Sequence, residues 1–471
     1  SGLEQCDDGN AVAGDGCDVF CMREVPSDPG LRPATPTAPE IPGPPAPLRF
    51  PLPGDPVLPL GDAGEGALSW PATTEAAASP ASEPAGAVPR AQCGDGRVDE
   101  GEECDGDDCC SLSCRRVFGE AASRWNGLGR GFGGEGIRGG VAVEALALFG
   151  GTIVAGGDFL LADGKPVSRI ARWTGGLWTS MGDGFNAGVL ALATGNDGRD
   201  VYAGGEFTRG GTTPLGHVAR WDEKGWNALG AGVNGAVRAL VVSGRDLFAA
   251  GDFTEAGGQT ALHIARWDGK AWHAVGSGID GTVRALLVAE DLLYAGGDFR
   301  RAGEVAAPGV ARWDGSTWQN VGDGISGRVH ALAILGGSLV AGGDFLTSGG
   351  GRVLGHIARF DGASWTPLGE GGASARVASL AVDGRDLLAG GDFATVGGVL
   401  APRVAHWKDG SWLPMADGFT GPVSALVRSG ERIVAGGRFT RSGGRDVPRI
   451  AEWRRFDCPA APAPVADSSP P

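Results

Sequence analysis

The stretch Val154-Ala155-Gly156-Gly157-Asp158-Phe159 decides the fold, because close variants of it recur along the chain. The phenylalanine that ends each copy falls at steps of 46 or 48 residues. Its positions are Phe159, Phe207, Phe253, Phe299, Phe345, Phe393 and Phe439. A fixed period of this size indicates one supersecondary unit that is repeated along the chain.

Each repeat contains four apolar segments of strand length. The first segment, residues 236–242 in the third copy, is apolar at nearly every position, which is typical of a strand covered on both faces. Asp268-Gly269 joins the last two segments and predicts a tight hairpin turn, because Gly accepts a positive φ. Four antiparallel strands in each repeat make a propeller blade. The sequence therefore predicts an all-β fold, a seven-bladed β-propeller with four-stranded antiparallel blades.

The two ends of the repeat array predict that the propeller closes into a ring. The last repeat stops after its third strand, Arg449–Trp453, and the missing fourth-strand pattern is found at residues 125–129. We expect residues 125–129 to complete the last blade, since closure removes exposed sheet edges. A solenoid is the competing architecture, but solenoids need atypical end repeats.

Aromatic residues and glycines recur at fixed places in the predicted blades. We expect an aromatic pair to face across each outer hairpin and pack the outside of the blade. The pairs are Trp173/Trp178, Trp221/Trp226, Trp267/Trp272, Trp313/Trp318, Phe360/Trp365, Trp407/Trp412 and Trp453/Trp125. The Gly-Gly before each aspartate is expected where neighbouring blades crowd together.

The Gly-Gly that ends the second strand, followed by two spaced aromatic residues, resembles the kelch class of propeller repeat. The fuller phrase Ile-Ala-Arg-Trp-Asp-Gly…Leu-Gly-x-Gly…Ala-Gly-Gly-Asp-Phe is more similar to the repeats of bacterial surface proteins related to fungal cortical polarity markers. The resemblance covers about residues 120–457 and implies the propeller fold. It implies no single function, because propellers host enzymes, lectins and scaffolds alike.

All nine cysteines lie outside the predicted blades, which indicates disulfide-bonded modules and an oxidising compartment. They are Cys6, Cys17, Cys21, Cys93, Cys104, Cys109, Cys110, Cys114 and Cys458. The segments 4–21 and 93–114 resemble the myxobacterial cysteine-rich repeat of surface and secreted proteins. The first copy begins inside that motif, so its leading cysteine is expected upstream of Ser1. The resemblance implies a secreted, extracellular or cell-envelope location.

The second cysteine-rich copy has five cysteines, one more than the pattern that it resembles. The spare thiol, Cys109 or Cys110 rather than Cys114, is expected to pair with Cys458 across the ring closure. A free Cys458 and an intermolecular bond are the alternatives.

Composition divides the chain into five parts. Residues 25–90 hold 17 of the 30 prolines, a composition that predicts an extended linker rather than a core. The expected parts are a partial cysteine-rich repeat at 1–24, the linker at 25–90, a second cysteine-rich repeat at 91–114, the propeller at 115–458 and a disordered tail at 459–471.

Metal sites are not strongly indicated. Zinc is an alternative use of the cysteines, but residues 1–130 contain no histidine. Asp7, Asp8, Asn10 and Asp15 supply oxygens of the type that calcium takes, although they lack the EF-hand spacing and are equally typical of turns. We expect no cofactor other than this calcium.

Charge divides the chain as sharply as the cysteines do. Residues 1–114 carry 21 acidic and 5 basic residues, a net charge of −16 that equals the net charge of the whole chain. A neutral propeller with an acidic N-terminal part argues against nucleic acid or an anionic membrane as the partner. No run of apolar residues is long enough to span a membrane.

One position of the innermost strand suggests a binding site. It is Glu144, Leu190, Arg238, Arg284, His330, Ala378 and Ser424 in successive repeats. Arg238, Arg284 and His330 are expected on one face near the channel, where they form a basic patch able to hold a carboxylate or sulfate. The alternative is that these side chains neutralise nearby carboxylates.

Two other recurring positions are interpreted as structural. The repeated aspartate after Gly-Gly is expected to accept backbone N–H bonds. The residue that opens the third strand includes His217, His263 and His356, which we expect to be solvated at the strand edge and too far apart to share a metal.

The sequence shows no Ser/His/Asp or Cys/His set and no phosphate loop, so it favours binding over catalysis. It predicts an extracellular or cell-surface binding or scaffold protein whose propeller face engages a protein or a glycan. A glycan-active enzyme with a site at the channel mouth and a structural envelope component are the alternatives.

Overall fold

The structure is a computed structural model, and it describes residues 121–457 except 136, 138, 196, 197, 430 and 431. The predictions for the cysteines, for Asp7, Asp8, Asn10 and Asp15, and for the linker lie outside the described residues. Within them the chain forms strands and turns without a helix, so the predicted all-β class is confirmed.

The described residues form seven four-stranded antiparallel sheets, numbered 1 to 7 along the chain, together with small sheets of two or three short strands. In sheets 1 to 6, each sheet contains four consecutive long strands, which we call inner, second, third and outer. The inner strands are Ala142–Phe149, Val189–Thr194, Val237–Ser243, Thr282–Ala289, Val329–Leu335 and Val377–Asp383. The second strands are Thr152–Asp158, Val201–Gly205, Asp246–Gly251, Leu292–Asp298, Ser338–Gly343 and Asp386–Gly391. The third strands are Ile170–Thr174, Val218–Trp221, Ile264–Trp267, Val310–Trp313, Ile357–Phe360 and Val404–Lys408. The outer strands are Leu177–Ser180, Trp226–Ala228, Trp272–Ala274, Trp318–Asn320, Trp365–Pro367 and Ser411–Pro414.

Sheet 7 combines the two ends of the described chain. Its inner, second and third strands are Val423–Ser429, Arg432–Gly437 and Ile450–Asp457, and its outer strand is Ala121–Gly127. Trp125 lies opposite Trp453, as expected from the sequence. The described outer strand starts four residues before the predicted segment 125–129 and ends two residues before its end. It reaches back to Ala121 because the third strand extends to Asp457 and provides partners for it.

The inner strands place the sheets in a closed cycle. Each inner strand contacts the inner strand of the next sheet, and that of sheet 7 contacts that of sheet 1. The apolar core follows this cycle, because each buried cluster is filled by two neighbouring sheets. The cluster that joins sheets 7 and 1, for example, contains Val434, Phe159 and Trp178. This arrangement of four-stranded sheets is consistent with a β-propeller.

The Gly-Gly pair allows the sheets to approach each other. A Cβ added at the first glycine, such as Gly204, would lie 2.4 Å from Cγ1 of Val237 in the next sheet. A Cβ added at the second glycine, such as Gly205, would lie 2.1 Å from the carbonyl oxygen of Gly188, the residue just before the inner strand of the same sheet. The expected crowding at Gly-Gly is therefore present both between sheets and within a sheet.

The seven aromatic pairs face each other across the third and outer strands, as predicted. Their ring centroids are 5.2 to 5.5 Å apart. The outer-strand tryptophan also donates its indole N–H to a carbonyl oxygen of the preceding sheet, at 2.7 to 3.1 Å. The donor–acceptor pairs are Trp125–Met415, Trp178–Leu128, Trp226–Met181, Trp272–Leu229, Trp318–Val275, Trp365–Val321 and Trp412–Leu368.

The connections divide the molecule into two faces. We call the side with the second-to-third and outer-to-inner connections the loop face, and the side with the two tight hairpin turns the turn face. The loop-face connections pair with one another, as when Phe132–Gly133 pairs with Leu161–Ala162 and Ile325–Ser326 pairs with Thr347–Ser348. The other short strands are Lys165–Pro166, Arg209–Gly210, Thr213–Pro214, Glu255–Ala256, Gln259–Thr260, Arg301–Ala302, Val305–Ala306, Thr395–Val396, Val399–Leu400, Arg441–Ser442 and Arg445–Asp446.

Candidate functional site

The loop-face ends of the inner strands carry a ring of charged side chains, which we call the mouth. Most of its cations come from the start of the inner strands, and its carboxylates come mainly from the repeated aspartate at the end of the second strands. The antiparallel pairing of inner and second strands brings these two positions together, as in the pairing of Val237 with Gly251. The mouth is therefore fixed by the strand register.

Arg238 is bound by a carboxylate of its own sheet. Its Nε donates to Asp252 Oδ1 at 2.9 Å, and its Nη2 donates to Asp252 Oδ2 at 2.6 Å. Thr282 of the next sheet donates to the same carboxylate at 3.0 Å. The hydrogen bond and charge of Asp252 raise the pKa of Arg238. Arg238 is thus a cation whose charge is balanced by Asp252. Such pairing with a nearby carboxylate is the alternative that the sequence analysis left open.

His330 also contacts a carboxylate of its own sheet. Its Nε2 lies 2.9 Å from Asp344 Oδ2, which assigns the ring a tautomer with the proton on Nε2. Burial lowers the pKa of His330 below its usual 6.5, although Asp344 raises it, and the positive charges of Arg376 and Arg284 lower it further. At neutral pH His330 is therefore an uncharged donor, and the predicted patch contains two cations rather than three.

Arg284 lies between two other arginines and differs from both of them. Burial lowers the pKa of its guanidinium, and the positive charges of Arg238 and Arg328 act in the same direction. Arg328 bonds to Asp298 at 3.0 Å, but among the described residues no acceptor bonds the buried Nε of Arg284. Buried N–H groups without an acceptor are rare in native proteins.

The repeated aspartates of the mouth accept side-chain bonds, where the sequence predicted backbone N–H bonds. Arg169, Arg238, Arg328, His330 and Arg376 are the donors to Asp158, Asp252, Asp298, Asp344 and Asp392. The prediction was wrong for these five because the backbone N–H groups at this strand end already bond to carbonyls, as Asp252 N does to Ala236 O.

The residue before the third strand was predicted to be solvated, and this was also wrong. All seven residues have a positive φ between 62° and 76°, and the histidines among them are half-buried. They are Arg169, His217, His263, Gly309, His356, Arg403 and Arg449. The Nδ1 atoms of His217, His263 and His356 lie 3.0 to 3.3 Å from the carbonyl oxygen of the glycine just before the repeated acidic residue, namely Gly205, Gly251 and Gly343. This conformation lets the residue bond both the preceding phenylalanine and the second glycine, as His263 does with Phe253 and Gly251.

Between sheets 7 and 1 the signs of the paired charges in the mouth are reversed relative to sheet 3. Arg438 stands where the other sheets have an acidic residue, and it donates to Glu144 of sheet 1 at 2.7 Å. Glu144 in turn occupies the inner-strand position of Arg238. The two departures from the repeat were visible in the sequence, and their opposite signs were the signal that could have predicted the ion pair.

Other classes of site are less well supported in the described part of the chain. There, no three or more His, Cys, Asp or Glu side chains are grouped so that they could hold a metal ion. A search of the same residues for a helix of membrane-spanning length and hydropathy found none.

Comparison with known proteins gives similarity of limited extent. No family model matches the chain, and no curated protein matches it either. Among solved structures, the computationally designed Ika8 protein is similar at 18% identity and a TM-score of 0.42, covering 66% of this chain and 96% of its own. The structure of U3-55K is similar at 14% identity and a TM-score of 0.45, covering 70% of this chain and 97% of its own. The resemblances to kelch, surface-protein and myxobacterial repeats stay predictions.

Proposed function

We propose that this protein is a binding scaffold built on a seven-bladed β-propeller, and that its mouth engages an acidic group of a protein partner. The seven sheets, the contacts between sheets 7 and 1 and the indole bonds around the ring support the blade count. A rigid ring with loops on one face is the usual form of a binding scaffold. The clustering of the cysteines outside the repeats supports an extracellular or cell-surface location.

The observation that carries this proposal is Arg284. Arg238 and Arg328 each bond to a carboxylate, and between them Arg284 has a buried Nε–H without an acceptor in the described residues. A carboxylate of a partner is the complementary acceptor for this guanidinium, whose Nε–H has none among the described residues. Charge-assisted bonds from arginine to carboxylate are among the stronger hydrogen bonds in proteins.

Titration of the full chain with peptides tests the proposal. An Asp/Glu-rich peptide is added while the Nε–H resonance of Arg284 is followed by NMR, and a Lys-rich peptide of equal length is the comparison. We expect the acidic peptide alone to shift this resonance, and Arg284→Met to weaken its binding by about tenfold or more.

Arg245→Met is the matched control, because Arg245 is exposed on the turn face and its loss changes the net charge equally. Equal weakening by both variants would show that only net charge matters. Absence of any shift with the acidic peptide would contradict the proposal.

A further inference from the structure

A cleft on the turn face separates sheets 3 and 4, on the opposite side of the ring from the mouth. Its volume is about 370 Å³, which is within the range of small-molecule sites. Trp313 and Phe248 contribute partly exposed aromatic rings to its wall, and Val288 and Leu293 contribute aliphatic surface. The cleft therefore offers a ligand an apolar face.

A polar pair lies beside this apolar face. Arg266 Nη1 donates to Asp246 Oδ2 at 2.7 Å, and their side chains are 40% and 29% exposed. A guanidinium has five N–H donors and a carboxylate two oxygens, so one bond leaves donors and acceptors for a ligand. The two charges oppose each other, so the pair attracts neither anions nor cations strongly.

Sheet 4 departs from the repeat where it forms the rim of this cleft. Leu292 stands at the position of Asp246, so the wall opposite the polar pair is apolar. The adjoining turn is Glu290–Asp291, and Asp291 lines the cleft. Both residues have positive φ, 51° and 59°, whereas the corresponding turn of sheet 3 begins with Gly244. The rim of sheet 4 thus places both an aliphatic side chain and a carboxylate acceptor across the cleft from the polar pair.

We infer that this cleft binds a neutral mono- or disaccharide. The apolar face of a sugar ring packs on Trp313, while its hydroxyls, each both donor and acceptor, bond to Arg266 and Asp246. A purely apolar ligand would leave the exposed donors and acceptors of this pair unmatched. The sugar site lies on the other face from Arg284, so it goes beyond the protein partner proposed above and does not depend on it.

Saturation-transfer NMR on the full chain tests the inference. The probes are glucose, galactose, mannose, N-acetylglucosamine and their β-1,4-linked disaccharides. We expect saturation transfer to the ring protons of at least one probe, and we expect Arg266→Gln to weaken its binding by about tenfold or more. Trp313→Phe should weaken it as well, and the fold accepts this change because Phe360 occupies the same position in sheet 5.

Arg220→Gln is the matched control, since Arg220 bonds to Asp200 at 3.0 Å in sheet 2 at the equivalent position. It should leave sugar binding unchanged, as should Arg284→Met. Absence of transfer to every probe would overturn the inference. Equal binding by the wild type, Arg266→Gln and Trp313→Phe proteins would overturn it too, because the sugar would then bind elsewhere.

Discussion

At the scale of single residues, an ion pair between the second and third strands keeps its place while its charges are reversed. In sheet 3 it is Asp246 with Arg266, and in sheet 7 it is Arg432 with Glu452. Glu452 is 5% exposed and also accepts a bond from Arg454 at 3.0 Å. Where both strands are charged at this position, either order of the two charges forms the pair.

Exchange of the two charges in sheet 7 tests this interpretation. Glu452→Arg alone places three arginines together in a buried site and should destabilise the fold by about 3 kcal/mol or more. Adding Arg432→Asp recreates the order of sheet 3 and should recover most of the loss. Urea denaturation of the two variants and of Arg432→Asp alone measures the coupling between the sites. If the losses of unfolding free energy in the two single variants simply added in the double variant, a specific interaction between residues 432 and 452 would be contradicted.

A second prediction at this scale concerns pH and His330. Its pKa is lowered in the folded protein, first by burial and then by Arg376 and Arg284, against the raising effect of Asp344. The unfolded chain therefore takes up this proton at a higher pH than the folded chain does. The contribution of His330 to stability is complete above pH ~6.5 and decreases as the pH falls below that value.

His330→Gln should remove this part of the pH dependence, because glutamine can donate to Asp344 but does not titrate. The measurement is the urea midpoint of both proteins between about pH 7.5 and 5.5. The wild type should lose more stability than the variant over this range. Parallel losses would assign the dependence to other groups.

The residue scale also shows where sequence reasoning ended. The period located Arg238, Arg284 and His330 correctly on one strand position, because a repeat fixes equivalence. The period could not predict that Arg238 bonds to Asp252 and His330 to Asp344, since these bonds depend on side-chain geometry. Positive φ at His263 was equally invisible, because histidine does not mark a left-handed conformation as glycine does.

At the scale of elements, the outer strand is joined to its neighbour sheet by its tryptophan. Every outer strand carries Trp at this position, and each indole N–H bonds to the preceding sheet, as Trp272 does to Leu229. The third-strand position is different, since Phe360 replaces Trp there in sheet 5. The spacing of the aromatic residues predicted the pairs within each sheet. It could not predict the indole bond to the preceding sheet, because that bond depends on how two neighbouring repeats are placed.

Trp272→Phe should therefore destabilise the protein more than Trp267→Phe, by about 1 kcal/mol, the net contribution of one hydrogen bond, since the Leu229 carbonyl keeps its bond from the Gly232 N–H. Both changes remove the same atoms from one aromatic pair, so each is the control for the other. Chemical denaturation measures the difference. Equal losses would show that the indole bond adds nothing to ring packing.

At the scale of the whole molecule, closure depends on Ala121–Gly127, the only described strand that reaches its sheet from the other end of the array. Trp125 is 1% exposed, packs on Phe419 and Trp453, and donates to Met415 of sheet 6. The split repeat in the sequence was sufficient to predict this pairing, since a missing strand and an extra strand must match. The seven sheets and their cyclic contacts follow from the same period.

Trp125→Ala should cost about 3 to 5 kcal/mol and release the closing strand. Trp178→Ala in sheet 1 removes an equally buried tryptophan, but its strand stays joined to its partner by a tight turn. Hydrogen exchange should therefore rise across 121–127 and 450–457 in Trp125→Ala, with no comparable rise across 170–180 in Trp178→Ala. Similar exchange in both variants would show that closure is no weaker than any other hairpin.

The pairing of Ala121 with Asp457 has a mechanical consequence. The strand that enters the ring and the strand that leaves it are antiparallel, so Ala121 and Asp457 lie opposite each other at one end of the pair. Bonds between antiparallel strands run across the strand axis. A pull that separates residues 121 and 457 would load these bonds one at a time, as in opening a zipper, whereas a shearing load is shared by all of them. Sheet 7 is thus where stretching by the two ends would begin to open the ring.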